Sequence, residues 1–443
     1  MKATRRVILS ICILLLGCIN GFAQDTHSIE AEKIDQLLKE FWNVSYGEWE
    51  NFREAFREAG DAVIEPLRAK LRNVDMSGWS QRQIEWHQRR IAWALGEVRT
   101  ERAVDFLIAM LQDRTLHDFG RHEAANALRR IKPTRAVDPL LATLNDREST
   151  PPPRYAAAYA LGDLRSGKAV PSLIEALLED NIHMRMGAVY GLGHIGSKEA
   201  IDGLRLALKD RDGYIRRLTY PHLLRLQPER KTEFLIMALR DEDWGVREDS
   251  VKAIVEIGEP MAEHLIPLLK DDDSVVRWEA VRIFAVIQPE SVADVLLDAL
   301  KDRDWMARNE AAVALVRISS GSTIKTLIGM LRDESSHVRE EAAWILGEMK
   351  SEMAVDALID ALEEMDSGWI AAIALGKIQS DKAVKPLIGM LREDNVRRRR
   401  ASAWALGKIP SEKAVGPLRA ALKDPDAEVR MWASEALKNN SIK

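Results

Sequence analysis

Apolar residues recur along this chain at helical spacing, and the helices themselves recur. In the stretch 333–349, DESSHVREEAAWILGEM, Ala342, Ile345, Leu346 and Met349 stand at i, i+3, i+4 and i+7. That spacing puts them on one face of an α-helix. Ser335 stands just ahead, where its hydroxyl can accept from the free N–H groups of the first turn, so it reads as the N-cap. Gly347 lies inside the apolar stripe. An interior glycine costs about 1 kcal/mol relative to alanine, so its presence predicts a second helix passing close over it.

The same unit returns throughout. Its leucine position is held by Leu95, Leu128, Leu161, Leu192, Leu223, Ile254, Phe284, Leu315, Leu346, Leu375, Leu406 and Leu437, in steps of 29 to 33 residues. Seven residues earlier stands an arginine in ten of the twelve copies; Gln88 and Gly368 break the rule. Four residues before the arginine comes a capping residue: Thr150, Asn181, Asp212, Asp243, Asp273, Asp304, Ser335, Asn395 or Asp426. Upstream of each copy lies another apolar segment, seen as AVIEPL at 62–67, AVKPLI at 383–388 and AVGPL at 414–418. Its proline is tolerated only in a first helical turn. Each repeat is therefore a helix, a short Asp-containing turn and a second helix. One such hairpin cannot bury its own apolar face, so neighbours must stack. The chain is read as all-α: a superhelical α-solenoid of about twelve hairpins.

The unit AVxPLIxxLxDxxxxVRxxAAxALGxI resembles the HEAT-like repeat of the phycobilisome bilin lyase (PBS lyase) variety. Residues 381–409 and 411–437 match it closely, and the resemblance runs over 61–438. It implies a hydrogen-bonded ladder between the turn aspartate and the arginine that opens the second helix. Here that implicates Asp210 with Arg216, Asp241 with Arg247, Asp271 with Arg277, Asp302 with Arg308, Asp333 with Arg339 and Asp424 with Arg430. It also implies that the second helices line a concave side.

Composition narrows the partners. The 64 basic and 69 acidic residues give a formal charge of -5, a mildly acidic surface without a general nucleic-acid footprint. Both cysteines, Cys12 and Cys18, fall in the first 20 residues, leaving the repeats without a thiol. Residues 1–23 read as an export signal: Lys2, Arg5 and Arg6 precede the apolar run Val7 to Leu16, which is short for a membrane span. Two cleavage readings stand open. Gly21-Phe22-Ala23 suits ordinary signal peptidase, whereas Leu15-Leu16-Gly17-Cys18 resembles a bacterial lipobox, with Cys18 as the lipidated N-terminus. The expected location is the periplasm, cell envelope or exterior, with membrane contact only through a lipid anchor at Cys18.

Between leader and repeats, residues 24–60 carry Phe41, Trp42, Trp49, Phe52 and Phe56 on two amphipathic segments. They read as a helical cap on the open end of the stack. The repeats then occupy 61–438, with a polar tail at 439–443.

Candidate chemistry is sparse. His122-Glu123 in RHEAANAL resembles the His-Glu motif of deoxyhypusine hydroxylase, a HEAT-like di-iron enzyme. The equivalent positions elsewhere hold Tyr155-Ala156, Met186-Gly187, Arg217-Leu218 and Trp278-Glu279, so one pair stands where several are needed. The alternatives, a hydroxylase-like oxidoreductase or a bilin lyase relative, are therefore disfavoured, and no catalytic residue, cofactor or metal is expected. His122 itself reads as a solvated helix-start residue. The aromatic pattern says more. One and five residues after the arginine, two positions share a helix face. There stand Trp93, Tyr155, Tyr159, Tyr190, Trp344, Trp369 and Trp404. Tyr and Trp dominate interface hot spots, so this set is the expected groove for a protein or peptide partner, and the chain is expected to be an exported scaffold. In the run Arg397 to Arg400, Arg399 holds the ladder position and the others read mainly as a solvated face.

Overall fold

A computed structural model describes residues 25–318, 320–364 and 368–440. The leader with Cys18, part of the shortened turn before Gly368 and residues 441–443 lie outside the described residues. Among the described residues every regular element is a helix. None is long and apolar enough to cross a membrane. The chain divides into two compact units, the first ending at Pro228 and the second beginning at Glu229.

The first unit holds α1 (Asp25–Trp42), α2 (Arg53–Ala59), α3 (Ile64–Arg72), α4 (Gln81–Val98), α5 (Glu101–Gln112) and α6 (Asp118–Ile131). It continues with α7 (Val137–Asn145), α8 (Pro151–Asp163), α9 (Val170–Ala176), α10 (Ile182–Ile195), α11 (Lys198–Ala207) and α12 (Gly213–Leu226). The second holds α13 (Lys231–Leu239), α14 (Trp244–Ile257), α15 (Ala262–Leu265), α16 (Ser274–Ile287), α17 (Ala293–Ala299), α18 (Trp305–Ile318) and α19 (Gly321–Met330). Then follow α20 (Ser336–Glu348), α21 (Val355–Glu364), α22 (Gly368–Ile378), α23 (Val384–Met390), α24 (Val396–Lys408), α25 (Glu412–Ala421) and α26 (Ala427–Asn440). From α4 on, even numbers are the second helices of the hairpins.

First helices open on a 3₁₀ turn in several repeats, as at Thr134–Ala136 and Asp381–Ala383. The alanine closing each of these turns is fully buried. Pro139 and Pro386 are the third residues of α7 and α23. There the backbone N–H would lack an intrahelical partner anyway, so proline is tolerated. Two prolines depart from this rule: Pro221 lies inside α12, and Pro417, expected in a first turn, is the sixth residue of α25.

The leucine position is fully buried from Leu95 to Leu406. Burying such a side chain is worth about 1.5–3 kcal/mol, and the stack repeats that gain once per hairpin. Leu437, in the last hairpin, is only half-buried. A Cβ on Gly347 would lie 2.6 Å from Ala374 Cα, so α22 crosses α20 at this glycine.

Capping departs from expectation at two residues. Asn181, Asp212, Asp243, Asp273, Asn395 and others accept from first-turn N–H groups. Ser335 and Thr150 occupy the N-cap without a side-chain cap hydrogen bond. At Ser335 the turn is held instead by its own N–H, which donates to Asp333 Oδ1 at 3.0 Å.

The segment before the repeats packs as an aromatic cluster. Phe41, Trp49 and Phe56 are at most 1% exposed. Its second part is a 3₁₀ helix, Tyr46–Phe52, running into α2.

Candidate interaction face of the second helices

The ladder is the scaffold of the face. Each of the six implicated arginines donates from Nη1 to the backbone carbonyl six residues earlier, in its own turn. Arg216 reaches Asp210 O (2.7 Å), Arg247 Asp241 O (2.8 Å), Arg277 Asp271 O (2.9 Å) and Arg308 Asp302 O (2.8 Å). Arg339 reaches Asp333 O (2.8 Å) and Arg430 Asp424 O (2.7 Å). The six implicated pairs therefore meet through the aspartate's backbone, not its carboxylate. The carboxylates have other work. Each accepts from the N–H two residues on, as Asp302 does from Asp304 at 2.8 Å. Several also accept from the arginine of the preceding repeat: Arg185 with Asp210 (2.8 Å), Arg277 with Asp302 (2.7 Å) and Arg399 with Asp424 (2.8 Å). Glu179 serves Arg154 in the same way at 2.6 Å. Asp271 is taken instead by Arg240, and Asp333 by Lys301. Burial alone would raise the Asp302 carboxyl. The Arg277 hydrogen bonds, the Asp304 N–H and the guanidinium charge outweigh it and hold the carboxyl below its usual range.

The two irregular repeats are bridged from their neighbours. Gln88 is buried, and its Oε1 accepts from His117 N–H at 2.7 Å. At Gly368 the missing arginine is replaced by Arg398 of the next repeat. Its Nη2 donates to Leu362 O at 2.5 Å, the carbonyl six residues before Gly368. A Cβ on Gly368 would lie 2.7 Å from Arg398 Nη1. This accounts for most of the arginine run: Arg398 also pairs with Glu393, Arg399 with Asp424 and Arg400 with Asp426. The solvated face expected there is a set of ion pairs. Arg397 alone of the four has no carboxylate partner among the described residues, and its guanidinium lies 5.9 Å from the Trp369 ring.

In the first unit the expected rings divide. Trp93 is 5% exposed and stacks on Phe41 at 5.6 Å and 24°. The aromatic cluster covers it, so it offers no open ring. Tyr155, Tyr159 and Tyr190 are half-buried and continuous: Tyr155 lies 6.3 Å from Tyr159, and Tyr159 4.5 Å from Tyr190. Histidines extend the strip. His122 lies 5.2 Å from Tyr155, and His194 stacks on Tyr190 at 4.0 Å. Asp163 ties the far end together, accepting from Tyr190 Oη (3.1 Å) and facing His194 Nδ1 (3.0 Å). Burial lowers the His194 pKa, against the pull of Asp163. His222 lies 6.0 Å from His194 and sits against Gly193, where a Cβ would come within 2.2 Å of its Nδ1. Burial, then the Arg225 and His194 charges, push His222 down to about 4.

His122 is half-buried rather than fully solvated. Its Nδ1–H donates to Pro152 O at 3.0 Å, and Nε2 accepts from Asn126 Nδ2 at 2.8 Å. Burial first lowers its pKa, favouring the neutral ring. Both nitrogens are thus engaged by protein. Among the described residues no group of three His, Cys, Asp or Glu is placed to hold a metal.

In the second unit Trp344, Trp369 and Trp404 are half-buried. Each ring carries a cation from a second helix: Lys377 over Trp344 (5.8 Å), Arg397 over Trp369 (5.9 Å) and Lys408 over Trp404 (5.5 Å). Trp404 also lies across Gly376 of α22, where a Cβ would come 2.8 Å from its ring. Helices α22 and α24 contain no acidic residue. Among the described residues, the ring and cation partners of all six open rings belong to second helices.

Sequence reasoning missed two groups. Lys377 and Lys408 stand nine residues after the arginine position, one turn beyond the two positions considered. Trp244 and Trp305, the first residues of α14 and α18, are 62% and 65% exposed. An aromatic directly after a capping aspartate is the signal that would have found them, because a helix's first residue projects ahead of the packed turns.

The profile of HEAT repeats matches residues 81–150, 147–220, 202–282, 262–323, 293–370 and 369–438. The chain belongs to the HEAT-repeat family. Solved structures similar to it include Kap121p, at 13% identity, with 99% of this chain and 53% of that chain covered and a TM-score of 0.46. An engineered protein is 22% identical, with 85% and 98% covered and a TM-score of 0.26. Human deoxyhypusine hydroxylase in complex with glycerol is 20% identical, with 64% and 99% covered and a TM-score of 0.26. A search of curated proteins gave no match.

Proposed function

We propose that the chain is an exported bacterial scaffold that grips a protein or peptide partner along its second helices, which in this reading line the concave groove of the solenoid. The observation that carries the reading is the open ring set: Tyr155, Tyr159 and Tyr190 in one unit, Trp344, Trp369 and Trp404 in the other. All six are half-buried on second helices, with ring or cation partners that also belong to second helices. Rings held this way bury large area on contact with little further loss of freedom. Extended repeat surfaces suit such partners. The repeats are assigned to the PBS lyase variety on the AVxPL unit and the arginine ladder. Export rests on residues 1–23, with Cys18 as the site of a lipid anchor if the lipobox is used.

The test is capture from an envelope fraction by immobilised protein, repeated with Trp344→Ala, Trp369→Ala and Trp404→Ala combined. The reading expects a discrete envelope protein retained by the parent and lost with the triple variant. Retention of the same protein by both would remove the face from the account.

A further inference from the structure

Beyond the interaction face, the first unit holds a cleft of about 390 Å³ between the end of α1, the long connection after α3 and the start of α4. It is lined by Trp42, Trp79, Trp86, His87, Arg82 and Arg90, with Ser80 and Gln83 at the edge. That volume lies toward the small end of ligand pockets, which run from roughly 300 to 1,000 Å³.

The cleft is shaped by indoles that hold their places through third parties. Trp42 and Trp79 meet His87 edge-on at 5.6 and 5.1 Å, while Trp86 meets Tyr46 at 5.6 Å. No two of the three indoles are themselves in ring contact, so the space between them stays open. His87 is fixed: its Nδ1 accepts from Trp42 Nε1 at 3.3 Å and its Nε2–H donates to Lys70 O at 2.9 Å. Burial lowers the His87 pKa, in keeping with a neutral ring. Arg90 is fixed as well, donating to the carbonyls of Trp42 and Val44.

The remaining polar groups are of one kind. The edge acceptor, Gln83 Oε1, already serves Ser80 N–H and Oγ–H in the capping box of α4. Among the described residues, the Arg82 guanidinium and the Nε1–H groups of Trp79 and Trp86 have no acceptor. The lining contains no carboxylate. A site with flat apolar walls, spare donors and net positive charge complements a flat anion. We infer that this cleft binds a small aromatic carboxylate, its ring between the indoles and its carboxylate at Arg82.

The experiment uses the purified chain, 1-naphthoate as probe and 1-naphthamide as its uncharged counterpart, with binding read by calorimetry. Naphthoate is expected to bind and naphthamide to bind about tenfold more weakly, the scale of one charge-assisted hydrogen bond. Arg82→Gln should weaken naphthoate about tenfold and leave naphthamide unchanged. Arg82 is exposed at the first turn of α4, so this variant keeps the fold. Trp79→Ala should weaken both probes about tenfold. The inference is overturned if naphthoate does not bind at millimolar concentration, if naphthamide binds equally well, or if Arg82→Gln and Trp79→Ala both leave naphthoate binding unchanged.

Discussion

Removing one arginine from the middle of the ladder should cost far more than removing one from its end. Arg277 and Asp302 have side chains only 5% and 10% exposed. Two nitrogens of Arg277 reach the Asp302 carboxylate at 2.7 and 3.0 Å, and Nη1 donates to Asp271 O and Asp272 O at 2.9 and 3.1 Å. Arg277→Ala leaves a buried carboxylate without its cation and two turn carbonyls without that donor. Breaking a buried pair in this way costs about 3–5 kcal/mol. Arg430 is exposed and donates to Asp424 O and Pro425 O at 2.7 and 2.8 Å. It has no following described turn to reach, so Arg430→Ala should cost about 0.5–1.5 kcal/mol. Repeat arrays can unfold in segments, which makes a single global value unreliable. Hydrogen exchange resolved by peptide is the better assay, because it reads local opening free energy. Protection in α16 and α18 should fall by the larger amount in Arg277→Ala. The pairing has a pH signature. The folded Asp302 pKa is depressed, so its contribution is complete above the unfolded value of about 3.9 and is lost as pH falls through the folded one. Equal losses for the two variants, or a loss below about 1 kcal/mol for Arg277→Ala, would refute the ladder as the device that fixes hairpin to hairpin.

Three further outcomes follow from particular contacts. Gly347→Ala should destabilise the second unit by about 1–3 kcal/mol in urea denaturation, because overpacking against Ala374 outweighs the gain in helix propensity. Arg398→Ala should raise exchange in α21 and α22, through loss of the bond to Leu362 O, and not only in its own α24. The neutral His222 ring is favoured by folding, since its folded pKa of about 4 lies below the unfolded value of about 6.5. Its stabilisation is present above pH of about 6.5 and lost as pH falls toward 4, so His222→Gln should flatten the melting temperature of the first unit across that window.

The hairpins were legible because their period is written in several residue types at once: the leucine position, the arginine seven before it and the cap four before that. The close passage at Gly347 was legible too, since only a near backbone explains a glycine there. The partner of each ladder carboxylate was not. The arginine of its own turn and that of the preceding repeat stand at offsets that sequence cannot rank, and the answer depends on how far each hairpin rises over the last. Trp93 shows the same limit. Its register matches Trp344 and Trp404, but the aromatic segment at the N-terminus closes over it, a tertiary contact with no periodic trace. His122 reads as exposed from its place at a helix start, but the backbone of Pro152 one hairpin later engages its Nδ1 and Asn126 of its own helix its Nε2. The bond of Arg398 to Leu362 O and the ion pair of Arg400 with Asp426 were hidden for the same reason.

The central claim is that a partner is held on the second-helix face and not elsewhere on the surface. A photo-crosslinking residue placed at position 404 on α24, and separately at exposed position 385 on α23, tests it in cells. The account predicts one discrete adduct from position 404 and none from 385. Equal adducts from both positions, or an adduct from 385 alone, would contradict it.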